Sequence, residues 1–391
     1  MQNIKAVFDI WNGFIKGAIF AQDEWKNVLL LKEMVKTKGM RKGKILDSED
    51  FIISINTIIE TFIKKLGGEF IDEVYIGISH PEMIISRMSE QKRVMTDIIK
   101  NEDVDHLSRI ISEISQKNNY ETLKILPVYW LIDENKKEKD PVWLQWKRLE
   151  LVADVFYIPK NFYNNLIEVF EKLNLNIIDI VPNILAASES ALDFDLKDLG
   201  TVLIDIGTNQ TSFVVYEEWF PLSYWVIPIG WEDVTKDISI CLQIDIKEAE
   251  EIKKEKGMLS AEDQKISPTE ETEIWYLSSI ITARYEEIFN KIQKNLHKIW
   301  KDGRLPGWVI LMWGGAKAEN LDQFAKHIFK LATFYGKDKQ MSLWELSNNL
   351  QFINIIWNYI RSNKYVESRK SSLRLNFDFF GKIGKFIKEI F

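Results

Sequence analysis

Cysteine is almost absent from this 391-residue chain: Cys241 stands alone. An internal disulfide is therefore excluded. The N-terminal stretch MQNIKAVFDI has no basic segment followed by an apolar one, so a reducing, cytoplasmic compartment is expected. Histidine is scarce too, and His80, His106, His297 and His327 have neither ligand spacing nor cysteine partners, which predicts no metal cluster built on histidine. Uninterrupted apolar runs of eighteen residues are missing, so the body is not expected to span a bilayer. An excess of positive charge is also missing. With a formal net charge of -7, nucleic acid is a poor partner and any anion site has to be local. Finally, glycine is short at 18 residues, where ordinary usage gives roughly 27, and tryptophan is abundant at 14.

What is present fits a large soluble body. At about 150 residues per domain the length implies two or more lobes. Residues 4–10, 14–20 and 26–31 predict a meander of strands, 48–66 a helix with Ser48 as its N-cap, and 74–79 a further strand. Residues 80–160 read as a small inserted module containing a helix at 101–117 and strands at 124–133 and 149–159. A helix at 161–173, a strand at 176–182 and a second helix follow. At 199–216 the opening pattern returns: LGTVLIDIGTNQTSFVVYEE, like IKAVFDIWNGFIKGAIF, is strand, acidic residue, polar turn and returning strand. Such a repeat predicts duplicated lobes facing each other across a cleft. A Glu- and Lys-rich helical stretch (245–300) then precedes WVILMWGGAKAENLDQFAKHI, read as strand, glycine turn and helix, a pattern suited to an anion or adenosine.

The two turns carry the candidate chemistry. Asp9 precedes Trp11, Asn12 and Gly13, and Asp205 precedes Gly207, Thr208, Asn209, Gln210 and Thr211. In each, a carboxylate closes a strand just before a turn whose amides and hydroxyls can cradle phosphate oxygens. Carboxylates among phosphates need a cation, so Asp9 and Asp205 are expected to hold Mg through water beside the β- and γ-phosphates of ATP. The alternative is a pair of ordinary hairpin turns.

Two such turns about two hundred residues apart, followed by a strand ending in Gly-Gly, match the phosphate-1, phosphate-2 and adenosine elements of actin-like ATPases. KGMRKGKILD, DEVYIGIS, DPVWLQWKRLE, GTVLIDIGTNQTSFVVYE, IPIGWEDVTKDIS, EAEEIKKEKG and VILMWGGAKAENL together resemble, in order and over nearly the whole chain, the cell-division FtsA family. The resemblance implies an α/β, actin-like (ribonuclease H-like) two-lobed fold with an inserted FtsA-type subdomain and a C-terminal amphipathic helix. By it, residues 1–79 form the first core lobe, with 161–198 and part of 345–361. The insert is 80–160, the second core lobe 199–228 and 296–344, and its small subdomain 229–295. A flexible linker at 362–372 leads to a membrane helix at 373–391.

The same resemblance implies a protein that polymerises with ATP and anchors the tubulin-like FtsZ to the cytoplasmic face of the cell membrane at the division site, through the small subdomain. It places Gly230 in the site, Glu250 and Lys253 at the ribose and base, and Gly314 and Gly315 beneath the adenine. Glu250 and Lys253 can equally be an i, i+3 pair on a solvated helix face. No residue stands out as a general base, so ATP hydrolysis is expected to be slow or absent.

The departures from the family share one direction. Trp11, Trp143, Trp146, Trp219, Trp231, Trp308 and Trp313 stand where the family places glycine, at turns that need positive φ or close backbone approach. A chain that has lost its nucleotide explains Trp11 and Trp313 but not Trp143, Trp146 or Trp219. A codon read as glycine by the organism and rendered as tryptophan in the printed translation explains all seven. That reading takes glycine from 18 to 25 and tryptophan from 14 to 7.

The chain closes with a polar segment, SNKYVESRKSS, and then LRLNFDFFGKIGKFIKEIF. At 100° per residue Phe379, Phe380, Ile383, Phe386, Ile387 and Ile390 share one face, and Lys382, Lys385 and Lys388 lie opposite. Such a helix can lie in the membrane interface with its lysines toward anionic lipids, or dock on the protein's own core. Two further readings use the same superfamily: a PilM-type pilus-assembly component, which lacks this tail, and a sugar- or acetate-kinase-type phosphotransferase, which needs a catalytic carboxylate that cannot be picked out here.

Overall fold

The computed structural model describes residues 3–336 apart from 24, 25, 42, 69, 94–97, 146, 260–270 and 313–317. The linker, the terminal amphipathic segment, Trp146, Trp313, Gly314 and Gly315 lie outside the described residues.

The first lobe begins with β1 (Asn3–Ile10), β2 (Phe14–Asp23) and β3 (Lys26–Lys36), followed by the short pair β4 (Met40–Arg41) and β5 (Lys44–Ile45). Next come α1 (Ser48–Lys65) and β6 (Glu73–Ile78). The N-cap of α1 is Asp47, not Ser48: its carboxylate accepts from the amides of Glu49 and Asp50, at 3.0 Å each. Both residues are good caps, and Asp47 adds negative charge at the positive end of the helix dipole. The helix buries Phe51, Ile55, Ile58, Ile59 and Phe62 on one face, at helical spacing.

The module inside this lobe consists of β7 (Ile84–Arg93), α2 (Asn101–Ile114), β8 (Tyr120–Ile132), β9 (Lys136–Glu138) and β10 (Arg148–Pro159). Its sheet has the order β7-β10-β8-β9, with Leu107 and Ile111 of α2 packed on Trp130, Leu149 and Leu151. The chain then returns through α3 (Lys160–Lys172) and β11 (Asn176–Pro182), and passes across α4 (Asn183–Ala191) and α5 (Phe194–Leu199).

The second lobe has β12 (Thr201–Ile206), β13 (Thr211–Glu217), β14 (Phe220–Ile227), α6 (Trp231–Leu242), α7 (Ile246–Lys256), α8 (Glu271–Lys298), β15 (Val309–Met312), α9 (Leu321–Phe329) and β16 (Thr333–Tyr335). The Glu- and Lys-rich stretch is thus two helices. The sequence repeat becomes a repeat of topology. One sheet runs β3-β2-β1-β6-β11 and the other β14-β13-β12-β15-β16. In both, the strand carrying the acidic residue pairs antiparallel with its hairpin partner and parallel with the strand on its other side. The residues of β12 are buried throughout, as are residues 5–10 of β1, which is why the stretch before each carboxylate, Ala6–Phe8 and Val202–Ile204, reads as apolar.

Among the described residues, four turns have a tryptophan in the left-handed backbone region. Trp219, with φ +75°, follows Glu218, with φ +48°, and these two residues join the paired Glu217 and Phe220. This is the geometry of a type I′ hairpin turn, whose second position is ordinarily glycine. Trp300, with φ +59°, ends α8. Its amide donates to the His297 carbonyl and the Lys301 amide to that of Leu296, the Schellman arrangement in which the left-handed residue is usually glycine. Trp143, with φ +74°, is the third residue of a turn closed by the Leu144 amide on the Pro141 carbonyl, where type II geometry asks for glycine. Trp308, with φ +81°, leads into β15. Left-handed backbone costs an L-residue about 1–2 kcal/mol, so the four together cost a sizeable part of the roughly 5–15 kcal/mol that holds a domain folded.

Candidate nucleotide site

The two acidic strand ends meet between the lobes. Asp9, at the end of β1, and Asp205, at the end of β12, are 0% and 1% exposed. Asp9 accepts hydrogen bonds from Asn183 Nδ2 at 2.8 Å and Trp11 Nε1 at 2.5 Å, and Lys16 Nζ stands 3.4 Å away. Burial pushes the Asp9 carboxyl up, and Lys16, Asn183 and Trp11 hold it back. Neither carboxylate oxygen of Asp205 has a partner. Burial first, and the charge on Asp9 second, push its carboxyl well above the usual range. Two buried carboxylates, one of them orphaned, are the donor set a divalent cation satisfies, and its charge reverses the cost of holding both ionised. Among the described residues no group of three or more His, Cys, Asp or Glu could hold a metal. A cation here would complete its shell with water and phosphate, as Mg does.

The second turn is anchored to α6. The amides of Trp231 and Glu232 donate to the carbonyls of Gly207 and Thr208, at 3.0 and 2.9 Å. Gly230 has to be glycine for this approach, because a Cβ would collide with those same two carbonyls. Thr211 Oγ donates to the Ile229 carbonyl at 2.9 Å, and Asn209 Nδ2 donates to Glu232 Oε2. The Gln210 side chain is buried with neither amide atom partnered. In the first turn, Asn12 Oδ1 accepts from the Gly43 amide at 2.7 Å, and Gly13 faces Thr208 across the lobes closely enough that a Cβ would touch its hydroxyl at 3.1 Å. Asn12, Asn209 and Thr211 thus use their side chains to hold the turns. Gly207 and Thr208 border the space between them.

That space is a cleft of about 440 Å³ lined from both lobes, including Lys16, Thr208, Glu250 and Lys253. Glu250 and Lys253 are not a solvated pair. Glu250 Oε2 accepts from Lys253 Nζ and Thr235 Oγ, at 2.6 Å each, and Lys253 Nζ also donates to the Trp231 carbonyl at 3.2 Å. Burial brings Lys253 down to about 8 despite Glu250, and its ammonium lies 4.0 Å from the Trp231 ring centroid. The carboxylate and ammonium are therefore pre-positioned as acceptor and donor for a sugar or base. Trp231 is the first residue of α6 and is not among the residues with positive φ, so the backbone makes no demand for glycine there. Trp11 does narrow the cleft: its ring lines it and lies so close to Gly207 that a Cβ on that glycine would strike it.

Lys16 and Asn183 were not singled out from the sequence. The lysine inside the apolar strand FIKGAIF was the available signal for the first. Asn183 begins α4, 174 positions from the carboxylate it holds, and had none.

Comparison with known proteins bears on the fold. The family model for cell division protein FtsA matches residues 202–352. Cell division protein FtsA of Bacillus subtilis strain 168 is 28% identical over 76% of this chain and 70% of its own. The Enterococcus hirae protein of that name is 29% identical over 82% and 74%, and that of Pseudomonas aeruginosa 24% over 77% and 74%. The chain is similar to the FtsA proteins over most of its length. Solved structures support an actin-like fold. The PilM-PilN type IV pilus biogenesis complex superposes with a TM-score of 0.67 at 14% identity, covering 92% of this chain and 98% of the other. MreB 5 of Spiroplasma citri bound to AMPPNP gives 0.54 at 12% identity, covering 95% and 99%. The chain thus has an actin-like fold, and the relatives it matches over most of its length are named as cell-division proteins.

Proposed function

We propose that this protein binds ATP with Mg in the interlobe cleft, polymerises in that state, and tethers FtsZ filaments to the inner face of the cell membrane through its C-terminal helix. The observation that carries the nucleotide part is the pair Asp9 and Asp205, brought together from two repeats with Asp205 unpartnered. Mg, when bound, supplies the positive charge that lets two buried carboxylates and a polyphosphate share one site. The chain supplies the rest. Lys16 and Asn183 fix the Asp9 carboxylate, the α6 N-terminus fixes the second turn, and Glu250 with Lys253 face the opposite wall. Each group belongs to one lobe, so a ligand touching both sets the angle between them. That angle is the variable by which an actin-like protomer fits or misfits its neighbour in a filament.

The tether rests on sequence pattern. Six large apolar residues on one face and three lysines opposite, after a polar segment, suit an interfacial helix. No helix among the described residues is long and apolar enough to cross a membrane, and anchoring is assigned to residues 373–391. The test uses the full chain, phosphatidylglycerol vesicles and purified FtsZ. We expect the protein to sediment with the vesicles and to bring FtsZ down with it, and a chain ending at 372 to remain in the supernatant. Undiminished vesicle binding without 373–391 would refute the anchor. Vesicle binding without FtsZ recruitment would favour another actin-like role, such as the pilus-assembly one.

A further inference from the structure

Six of the described tryptophans fall into two kinds, while Trp11, Trp231 and the helical Trp275 belong to neither. Trp130, 4% exposed, fills the core of the inserted module. Trp225 stacks on Phe213 with centroids 4.8 Å apart and planes 18° from parallel. Both lie on strands, where a flat apolar ring belongs. Trp143, Trp219, Trp300 and Trp308 all have φ between +59° and +81°, each at a turn or helix end, where most residues that tolerate such backbone are glycine. Among the described non-glycine residues with positive φ, the others are Asn, Asp, Glu, Gln and Lys, and no Phe or Tyr appears. A preference of large aromatic rings for this region would have brought some of the 22 phenylalanines and 12 tyrosines with it.

Side-chain space says the same at Trp219. Its ring centroid falls 2.7 Å from that of Phe194, well inside the 4.5–7 Å at which aromatic pairs pack. The indole and the exposed Phe194 ring therefore crowd one another, while the backbone of the type I′ turn is well formed. At Trp11 the backbone is ordinary, and it is the ring that obstructs, lying against Gly207 and hydrogen-bonded to the Asp9 carboxylate.

We infer that positions 143, 219, 300 and 308 are glycine in the protein as its own ribosomes make it, through a reassigned codon, and that position 11 belongs to the same set, so that the native cleft is open on its phosphate side. Three of these turns are far from the cleft, so the inference stands apart from the nucleotide reading. Trp300 extends the set that sequence comparison alone supplied. The backbone gives no support for including Trp231. A translation acquires tryptophan from UGG, or from UGA where that stop codon is taken to encode tryptophan. Two kinds of tryptophan therefore imply two codons.

Three measurements test this. In the gene, UGA is expected at 11, 143, 219, 300 and 308, and UGG at 130 and 225; UGG at 143, 219 and 300 overturns the inference. Peptide mass spectrometry of protein from the native host should give glycine masses across 219 and 300, and indole masses there overturn it. In a standard-code host, the triple variant Trp143→Gly, Trp219→Gly, Trp300→Gly should melt higher than the tryptophan form, by on the order of 5 °C. A lower midpoint overturns it, because glycine at any position that does not need it enlarges the unfolded ensemble and destabilises. Failure of the all-glycine protein to bind ATP would count against the nucleotide reading alone.

Discussion

Lys253 shows how one residue ties the cleft to solution conditions. Burial lowers its ammonium to about 8, with Glu250 as the opposing influence. Between about 8 and the unperturbed lysine value the unfolded chain holds this proton and the folded chain does not, so this group's contribution to stability rises with pH across that window. Affinity for an anionic ligand moves the other way, since the cation facing the cleft is lost. Titration of a fluorescent ATP analogue from pH 7 to 9 should weaken binding several-fold with a midpoint near 8. Lys253→Met should bind weakly throughout and show no midpoint. A flat profile for the parent chain would remove Lys253 from the ligand's surroundings.

At the scale of elements, the contact between the second turn and α6 is the joint on which the proposed phosphate binding would depend. Gly230 lets the N-terminus of α6 reach the carbonyls of Gly207 and Thr208. Gly230→Ala should push the helix off that turn, at a cost of about 1–3 kcal/mol as in other overpacked sites, measurable by denaturant titration, with a larger loss of ATP affinity than of stability. Unchanged affinity would mean that this joint does not shape the site. Much of this was legible in the sequence. The strand, carboxylate, turn and strand pattern is local, and it fixed both hairpins and their acidic ends. The residues that serve those ends were less legible. Asn183 reaches Asp9 from another element, and nothing in its neighbours marks it. The cap of α1 slipped from Ser48 to Asp47 because both satisfy the same local rule. Trp300 escaped notice because the C-terminus of α8 follows from hydrogen bonds rather than from a motif.

For the whole molecule, the duplicated sheets place two buried carboxylates where the two lobes meet, so a ligand bound there, as proposed, would make binding and lobe geometry one equilibrium. Asp205 is central to it. With its carboxyl held far up by burial and by Asp9, the folded chain binds a proton that the unfolded chain has released above the ordinary aspartate value. This group's contribution to stability therefore falls as pH rises through that window. Asp205→Asn removes the cost of protonating this buried, unpartnered carboxyl on folding and should stabilise the nucleotide-free protein by about 1–3 kcal/mol at neutral pH. The parent chain has a different route to the same relief. Mg with ATP at a hundredfold excess over its dissociation constant contributes about 2.7 kcal/mol by binding the folded state, and it does so only if the cation is held. Thermal melts of protein with glycine at position 11 should therefore show an upward shift with Mg and ATP together, a smaller one with ATP and a chelator, and no Mg-dependent part in Asp205→Asn. If the asparagine variant kept the Mg-dependent shift, the cation would have to sit elsewhere, and the orphaned carboxylate would be a cost the fold carries without return.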